Sequence, residues 1–498
     1  MGVEHQKQAK TPGLGAHSTR GMAYLLAGTT SSILINFVAQ IALSYLLNPK
    51  DLGVVGLAYT VAVFIQLFEQ GGVGDLLVQR RTFRGWAIPG FWLALLLGIT
   101  SCVAILIAAP MAAAIYRNHQ LMWVLFVLAP ASIPSALAVV PRAQLARQLR
   151  FRALAAVNLA SLAIKLSLTV LFAAIGFGPF SYVVPVPITN ALIAAFLWWW
   201  ARPPWSIQLR LHRWRYLIGD SSRILTTEVQ RAILDQSDYI MLGIFRSIDV
   251  VGIYWFGYSV SIQLLQLLSL NLMNVLFPAL TKLNDHPDAQ YRGFVKAQRI
   301  LAMVGVSACL LQAAVSDPMT RLFLAPKWIP SIVVMQILCL GMATRMVAGS
   351  SFALLKSQGR FSAILWNRWA FVAIQLTGLL LVLSLGGGVR AVASVVAIVS
   401  TLTGLVTFRT SILPYGAGWA EVFEVLMRPM VSGIVSVGTA WLLAQAMADR
   451  GFGYLPQLIE TVVVAVGLNL LFAWFWMRPI VDELWMRVWG LLPTRGRA

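Results

Sequence analysis

From near its start to near its end the chain repeats one pattern. Apolar runs of about 20 residues, the length a helix needs to cross a bilayer, alternate with short polar loops. A chain so built has few options, because a backbone in hydrocarbon must satisfy its own hydrogen bonds as helix or closed barrel. A barrel would show short segments of alternating polarity rather than long apolar runs. The expectation is therefore an all-α integral membrane protein. Composition agrees: 59% of residues are hydrophobic and only 11% charged, where a soluble domain carries about a quarter.

Fourteen spans are expected, near 22–47, 53–78, 86–109, 120–140, 153–175, 180–201, 219–244, 250–277, 298–316, 330–355, 361–385, 389–410, 427–446 and 457–477. Residues 1–20 are polar and basic and run straight into the first span, without the pattern of a cleaved signal peptide. With this count, 27 basic residues, termini included, fall on one side. The opposite loops hold only seven: Lys50, Arg117, Arg246, Arg321, Lys327, Arg390 and Arg450. Cytoplasmic loops are the ones enriched in Lys and Arg, so both termini are expected to be cytoplasmic. The net charge of +20 then reflects orientation and contact with anionic lipid, and nucleic acid is not an expected partner. No loop is long enough to form a soluble catalytic domain. The three cysteines, Cys102, Cys309 and Cys339, stand alone in apolar runs, and no histidine cluster suggests a metal site.

Two stretches resemble each other. "NPKDLGVVGLAYTV" follows the first span, with Asp51, Gly53 and Tyr59; "FRSIDVVGIYWFGYSV" follows the seventh, with Asp249, Gly252 and Tyr258. Internal repeats of this kind mark two-lobed transporters. The expected layout is a basic tail over 1–20, a six-helix lobe over 21–202, an amphipathic linker over 203–218, a second six-helix lobe over 219–412, and an appended helix pair with tail over 413–498. Pro130 and Pro134 should break the fourth span, and Pro185 and Pro187 the sixth.

The seventh span carries an unusual load, "SSRILTTEVQRAILDQSDYIML". At helical spacing, Asp220, Arg223, Thr227, Glu228, Arg231, Asp235 and Asp238 share one side. Each charge facing lipid would cost about 2.5–3.5 kcal/mol, so this side faces protein or water. One reading is structural: Glu228, Arg231 and Asp235, at i,i+3 and i,i+4 spacing, neutralise one another. The other is a functional wet chamber. Lys165 in span 5 and Arg345 in span 10 have no acid in their own helices. Each requires an acid from another helix or an anionic substrate. Span 2 adds Glu69 and Asp75 among glycines.

Several stretches, in order, resemble the polysaccharide transporter branch of the multidrug/oligosaccharidyl-lipid/polysaccharide exporter superfamily, the Wzx-type flippases. They include "LNPKDLGVVGLAYTV", "PRAQLARQLRFRALA", "LDQSDYIMLGIFRSIDVVGIY", "LFPALTKLND", "LFLAPKWIPS" and "LLKSQGRFS". The resemblance implies two pseudo-symmetric lobes that alternate between inward- and outward-open states. It implies a cargo of undecaprenyl-diphosphate-linked oligosaccharide, of xanthan-like exopolysaccharide type, and handover to polymerase and export machinery. The last two spans are similar to the extra helix pair of lipid II flippases, which shapes a groove for the lipid tail. Under this resemblance Arg231, Arg345, Lys165 and Arg223 would bind the pyrophosphate, since the Arg fork suits phosphate. Thr226, Thr227, Gln230 and Gln236 would meet sugar hydroxyls. Asp235, Asp238, Glu228, Glu69 and Asp75 would tune the charge or couple a proton or sodium ion. No cofactor is called for. A drug/cation antiporter of the same superfamily would instead need an acid-dominated cavity, and a membrane-embedded polymerase or glycosyltransferase an acid/base or metal site in a sizeable loop.

Overall fold

The computed structural model describes residues 31–70, 73–79, 82–148, 150–204, 214–265 and 271–476. These form α1 (Ser31–Leu46), α2 (Pro49–Gln70), α3 (Val73–Gln79), α4 (Phe83–Ile115), α5 (His119–Leu128), α6 (Ser132–Leu137) and α7 (Val139–Arg147). The chain continues as α8 (Phe151–Ala174), α9 (Phe180–Val183), α10 (Pro185–Ala201), α11 (Trp214–Phe245), α12 (Ile248–Leu265) and α13 (Asn271–Thr281). It ends with α14 (Pro287–Phe323), α15 (Ser331–Ser357), α16 (Phe361–Ser384), α17 (Val389–Ile412), α18 (Trp419–Asp449) and α19 (Tyr454–Trp476). There is no strand among the described residues.

All fourteen expected segments are helical where described, and eleven spans are long and apolar enough to cross a membrane. The remaining three segments differ for identifiable reasons. The first has only 16 described residues, α11 is too charged, and residues 266–270 of the eighth lie outside the described set. The basic tail, most of the inter-lobe linker and the C-terminal tail also lie outside it. The expected proline breaks are present: a 3₁₀ turn at Ala129–Ala131 separates α5 from α6, and α10 restarts at Pro185.

The surface is the inverse of a soluble protein's. Leu381 is 61% exposed, Leu470 66% and Phe475 76%, a costly arrangement in water but a neutral one against acyl chains. Polar side chains turn inward instead. Gln298 donates to Ser351 Oγ at 2.8 Å and accepts from Ser350 Oγ at 2.8 Å, joining α14 to α15. In lipid such bonds and close packing by small residues hold helices together.

The chain divides into two compact units, and the division falls inside α11, between Thr226 and Thr227. In the first, α3 and α7 pack on α4 around Val73, Leu77, Phe91 and Val140. Gly98 lets α4 approach α6: a Cβ there would lie 2.6 Å from the Ala136 Cβ. The Trp198 indole N–H donates to the Leu137 carbonyl at 2.8 Å and fixes α10.

The second unit, besides residues from Thr227 onward, includes Leu43–Thr60. Its core is the α15–α17 contact, flanked by α14 and α18, with Val306, Met342, Met346 and Phe408 fully buried. The two mutually similar stretches meet within this unit. Asp51 and Asp249 each occupy the first turn of their helices, α2 and α12, where an acid complements the helix dipole. One turn on, a Cβ on Gly53 would strike the Ile248 carbonyl oxygen, and one on Gly252 the Pro49 carbonyl oxygen. The contact is reciprocal, each helix start using its glycine to admit the other's backbone. Only a residue without Cβ permits that approach.

Gly53→Ala and Gly252→Ala should therefore each destabilise the protein by about 1–3 kcal/mol through overpacking. Gly438→Ala in α18, where nothing lies within 4 Å of the added methyl, should be neutral or stabilising by up to about 1 kcal/mol. Thermal unfolding of the detergent-purified variants measures both, and equal behaviour of all three would refute the packing account.

Candidate functional site

The lower-numbered half of the second unit's α11 carries the charged stripe. At 1.5 Å rise per residue, Glu228 and Asp238 lie about 15 Å apart along the axis, and their surroundings change steadily between them. Arg231 is the wet end: its side chain is 52% exposed, and Nε donates to Glu228 Oε2 at 2.8 Å. Its second contact is weaker, 3.4 Å from Nη1 to Asp235 Oδ2. Asp235 reaches across to another helix. Its Oδ1 accepts from Arg345 Nη2 of α15 at 2.6 Å, with both side chains only 19% exposed. Asp238 is the dry end, fully buried, accepting from the Tyr254 hydroxyl at 2.5 Å and from the Tyr239 backbone N–H at 2.9 Å. Tyr239, Tyr254 and Tyr258 form a ring cluster around it, with centroids 5.3–6.3 Å apart.

Asp235 is thus shared by two guanidinium groups from two helices. Arg345 needs it: a cation four-fifths buried is tolerated only when paired. Arg231, half in water, does not, and its pair with Glu228 is worth at most about 1 kcal/mol. Of the two partners left open for Arg345, an acid of another helix or an anionic substrate, the structure supplies the first, Asp235.

Two further cations face the same acids. Lys356, in the last turn of α15, and Arg368, two turns into α16, both lie within electrostatic reach of Glu228. Arg368 also feels Asp235 and stacks its guanidinium over the Phe352 ring at 4.8 Å. By sequence both count among the 27 basic residues of the expected cytoplasmic side. Arg368 carried one usable signal: it follows Phe361 by two turns, in the continuously helical stretch "FSAILWNRWAF". With Arg231 and Arg345, four cations lie within electrostatic reach of Glu228 or Asp235, and even with Asp238 included the balance stays positive.

What brings α16 alongside α11 is a pair of glutamines. Gln375 donates to the Leu234 carbonyl at 2.7 Å and to Ser237 Oγ at 2.8 Å. Gln230 donates to the Leu365 carbonyl at 3.3 Å. The contacts advance together along both chains, so the two helices run parallel. Gln230 accordingly stands apart from the expected polar lining. It is fully buried, with its Nε2 committed to helix packing and its Oε1 without a hydrogen-bond partner among the described residues. Gln236 is half-buried, its Oε1 accepting from Thr60 at 3.0 Å, and Thr226 is exposed.

Lys165 belongs to the first unit, half-buried on α8. Among the described residues no carboxylate pairs with its ammonium. The side chains of Arg223, Thr227, Glu69 and Asp75 lie outside the described set, as does that of Asp220. No group of His, Cys, Asp and Glu among the described residues has the arrangement of a metal site.

A cation-rich cluster graded from water to a tyrosine-lined interior, set in a membrane helix, is suited to holding an anionic group that has left bulk water. Known proteins resemble this chain over most of its length. The chain is 21% identical over 475 residues to the succinoglycan biosynthesis transport protein ExoT of Rhizobium meliloti, covering 92% of each. It is 21% identical over 415 residues to the teichuronic acid biosynthesis protein TuaB of Bacillus subtilis, covering 81% of this chain and 84% of that one. In three dimensions it is similar to the lipid II flippase MurJ in an inward closed conformation, with a TM-score of 0.74 over 92% of this chain and 99% of that one, at 10% identity. That likeness establishes the fold. Residues 42–333 match the family described as polysaccharide biosynthesis protein, and with more than half its length inside that match this multi-pass membrane chain belongs to the polysaccharide biosynthesis protein family.

Proposed function

We propose that the protein moves undecaprenyl-diphosphate-linked oligosaccharide repeat units from the cytoplasmic to the periplasmic leaflet of a bacterial inner membrane, by alternating access. The product feeds surface polysaccharide or exopolysaccharide synthesis. Family membership, the transport role in the name of ExoT and the MurJ-like fold support a lipid-linked cargo. The observation that carries the reading is the Arg231–Asp235–Arg345 bridge between α11 and α15.

Asp235 in this account is a place-holder. With no cargo bound it neutralises Arg345 and orients Arg231, which lowers the cost of keeping a guanidinium in the membrane interior. An arriving diphosphate offers more acceptor oxygens than one carboxylate, and both Arg forks can turn to it. Lys356 and Arg368 add attraction from the wet side, and Lys165 and Arg223 are further candidates for the same headgroup. Glu228 and Asp238 can then hold a proton or sodium ion that resets the cycle. The prenyl tail stays in lipid, so only the charged and sugar-bearing part needs the polar route. An acid-dominated chamber, as a drug/cation antiporter requires, is opposite in sign to this cluster.

Structure and transport can be separated at the buried pair. Asp235→Ala should leave Arg345 unpaired and cost about 3–5 kcal/mol, read as a lowered unfolding temperature and poor accumulation in the membrane. The double variant Asp235→Asn with Arg345→Met should recover most of that stability and still export no polymer. Export at the normal level from the double variant would remove Arg345 from the transport role.

Arg231→Lys tests the fork itself. The half-exposed side chain contributes little to stability, so the variant should accumulate normally. Loss of paired hydrogen bonding should cut polymer export by about tenfold, with lipid-linked repeat units building up on the cytoplasmic face. Undiminished export would show that a point charge suffices.

Orientation is checked with cysteines placed on a background lacking the native three. At Arg450 a cysteine should react with an impermeant maleimide added to the periplasmic side, and at Lys282 only after the membrane is opened. The reverse pattern would invert the assigned direction of transport.

A further inference from the structure

A cavity lies away from the charged bridge, wholly within the second unit. It encloses about 850 Å³, within the range of roughly 300–1,000 Å³ for small-molecule sites. Five helices contribute to it, all at one end: the last turns of α14 and α18 and the first turns of α15, α17 and α19. Arg321, Arg390 and Arg450 mark that end as the side poor in basic residues. On the proposed orientation, on which this inference rests, it opens to the periplasm.

The lining has three kinds of group. Trp441 and Tyr454 line the cavity and remain 47% and 42% exposed. Gln336 and Gln445 add amides with a donor and an acceptor each. The charges are Asp317, Arg321 and Arg390. Asp317 holds Arg321 by both carboxylate oxygens, at 2.9 and 3.1 Å from Nε. That pair keeps the Arg321 guanidinium 5.8 Å from the Tyr454 ring centroid. Arg390 has no carboxylate partner among the described residues and leaves the cavity with one net positive charge.

An aromatic belt alone would spread tryptophan and tyrosine around the lipid-facing perimeter. Here the rings share a concave wall with amides and three charged groups drawn from different helices. Flat apolar faces beside planar hydrogen-bonding groups match the two surfaces of a pyranose: its C–H face and its rim of hydroxyls. The unpaired Arg390 adds a fork for one carboxylate. We propose that this cavity is an outer-face binding site for an acidic oligosaccharide, distinct from the diphosphate cluster, where glycan is held after it has crossed. The same chemistry is presented by a lipid-linked unit just delivered and by free polymer in the periplasm.

The test uses the full chain in lipid nanodiscs and isothermal titration calorimetry. The probes are a tetrasaccharide of glucose containing one glucuronate, the same tetrasaccharide on a short prenyl diphosphate, and the neutral cellotetraose. Short-chain phosphatidylglycerol is the competing anion. The glucuronate tetrasaccharide should bind, and Trp441→Ala should weaken it about tenfold. Arg390→Gln should weaken the acidic probe about tenfold and leave cellotetraose nearly unchanged. If delivered cargo is the natural occupant, the prenyl-linked form binds more tightly than the free sugar; equal affinity assigns the site to free polymer. Both variants alter exposed side chains, and elution as monodisperse protein confirms folding. Undetectable binding of every sugar, affinities unmoved by both substitutions, or binding of phosphatidylglycerol alone would each overturn the proposal. Leaflet transport is measured separately on the same preparation. Lost sugar binding with intact transport removes this site alone, and retained binding without transport removes only the flippase reading.

Discussion

A charge in hydrocarbon must find either water or an opposite charge, and much of the second unit is arranged around meeting that demand for Arg345. Its guanidinium sits four-fifths buried on α15 and meets Asp235 of α11 at 2.6 Å. The contact ties α15 to α11. Gln375 and Gln230 then bring α16 against α11, which carries Arg368 to the same acids. The reciprocal glycine crossing of α2 and α12 secures the other end of the unit. Packing there is backbone on backbone, so small changes in side-chain volume matter more than polarity.

The gradient along α11 gives the site its chemical character. Over about 15 Å the surroundings pass from half-exposed Arg231 and Glu228 to a shared Asp235, and then to an Asp238 enclosed by tyrosines. On the proposed function, an anionic headgroup entering from the wet side would meet half-exposed Arg231 first and the firmly held Arg345 next. On the proposed cycle, a diphosphate that takes Arg345 leaves the Asp235 carboxylate to be neutralised by a proton or a cation.

Much of this was legible before any coordinates. Apolar run length gave the helical membrane class, and the spacing of Glu228, Arg231 and Asp235 foretold their contacts because they depend only on helical periodicity. The partner of Arg345 was not legible: it lies 110 residues away, and choosing between another helix and a substrate needs the packing. Lys356 and Arg368 are not distinguishable from loop charges by sequence, because a basic residue near a span end has the same local sequence whether it faces lipid headgroups or a cluster. Gln230 was expected to line a polar route, yet periodicity alone does not say which neighbour a face meets. Its burial against the Leu365 carbonyl is a tertiary fact.

The account stands most directly on movement of the headgroup itself. Purified protein in liposomes, given a fluorescent undecaprenyl-diphosphate oligosaccharide in one leaflet, should expose that label to an enzyme or quencher confined to the other side. The Asp235→Asn, Arg345→Met double variant in the same liposomes should match protein-free vesicles. Equal rates with wild type, double variant and no protein would contradict the central claim that these buried cations carry a diphosphate across.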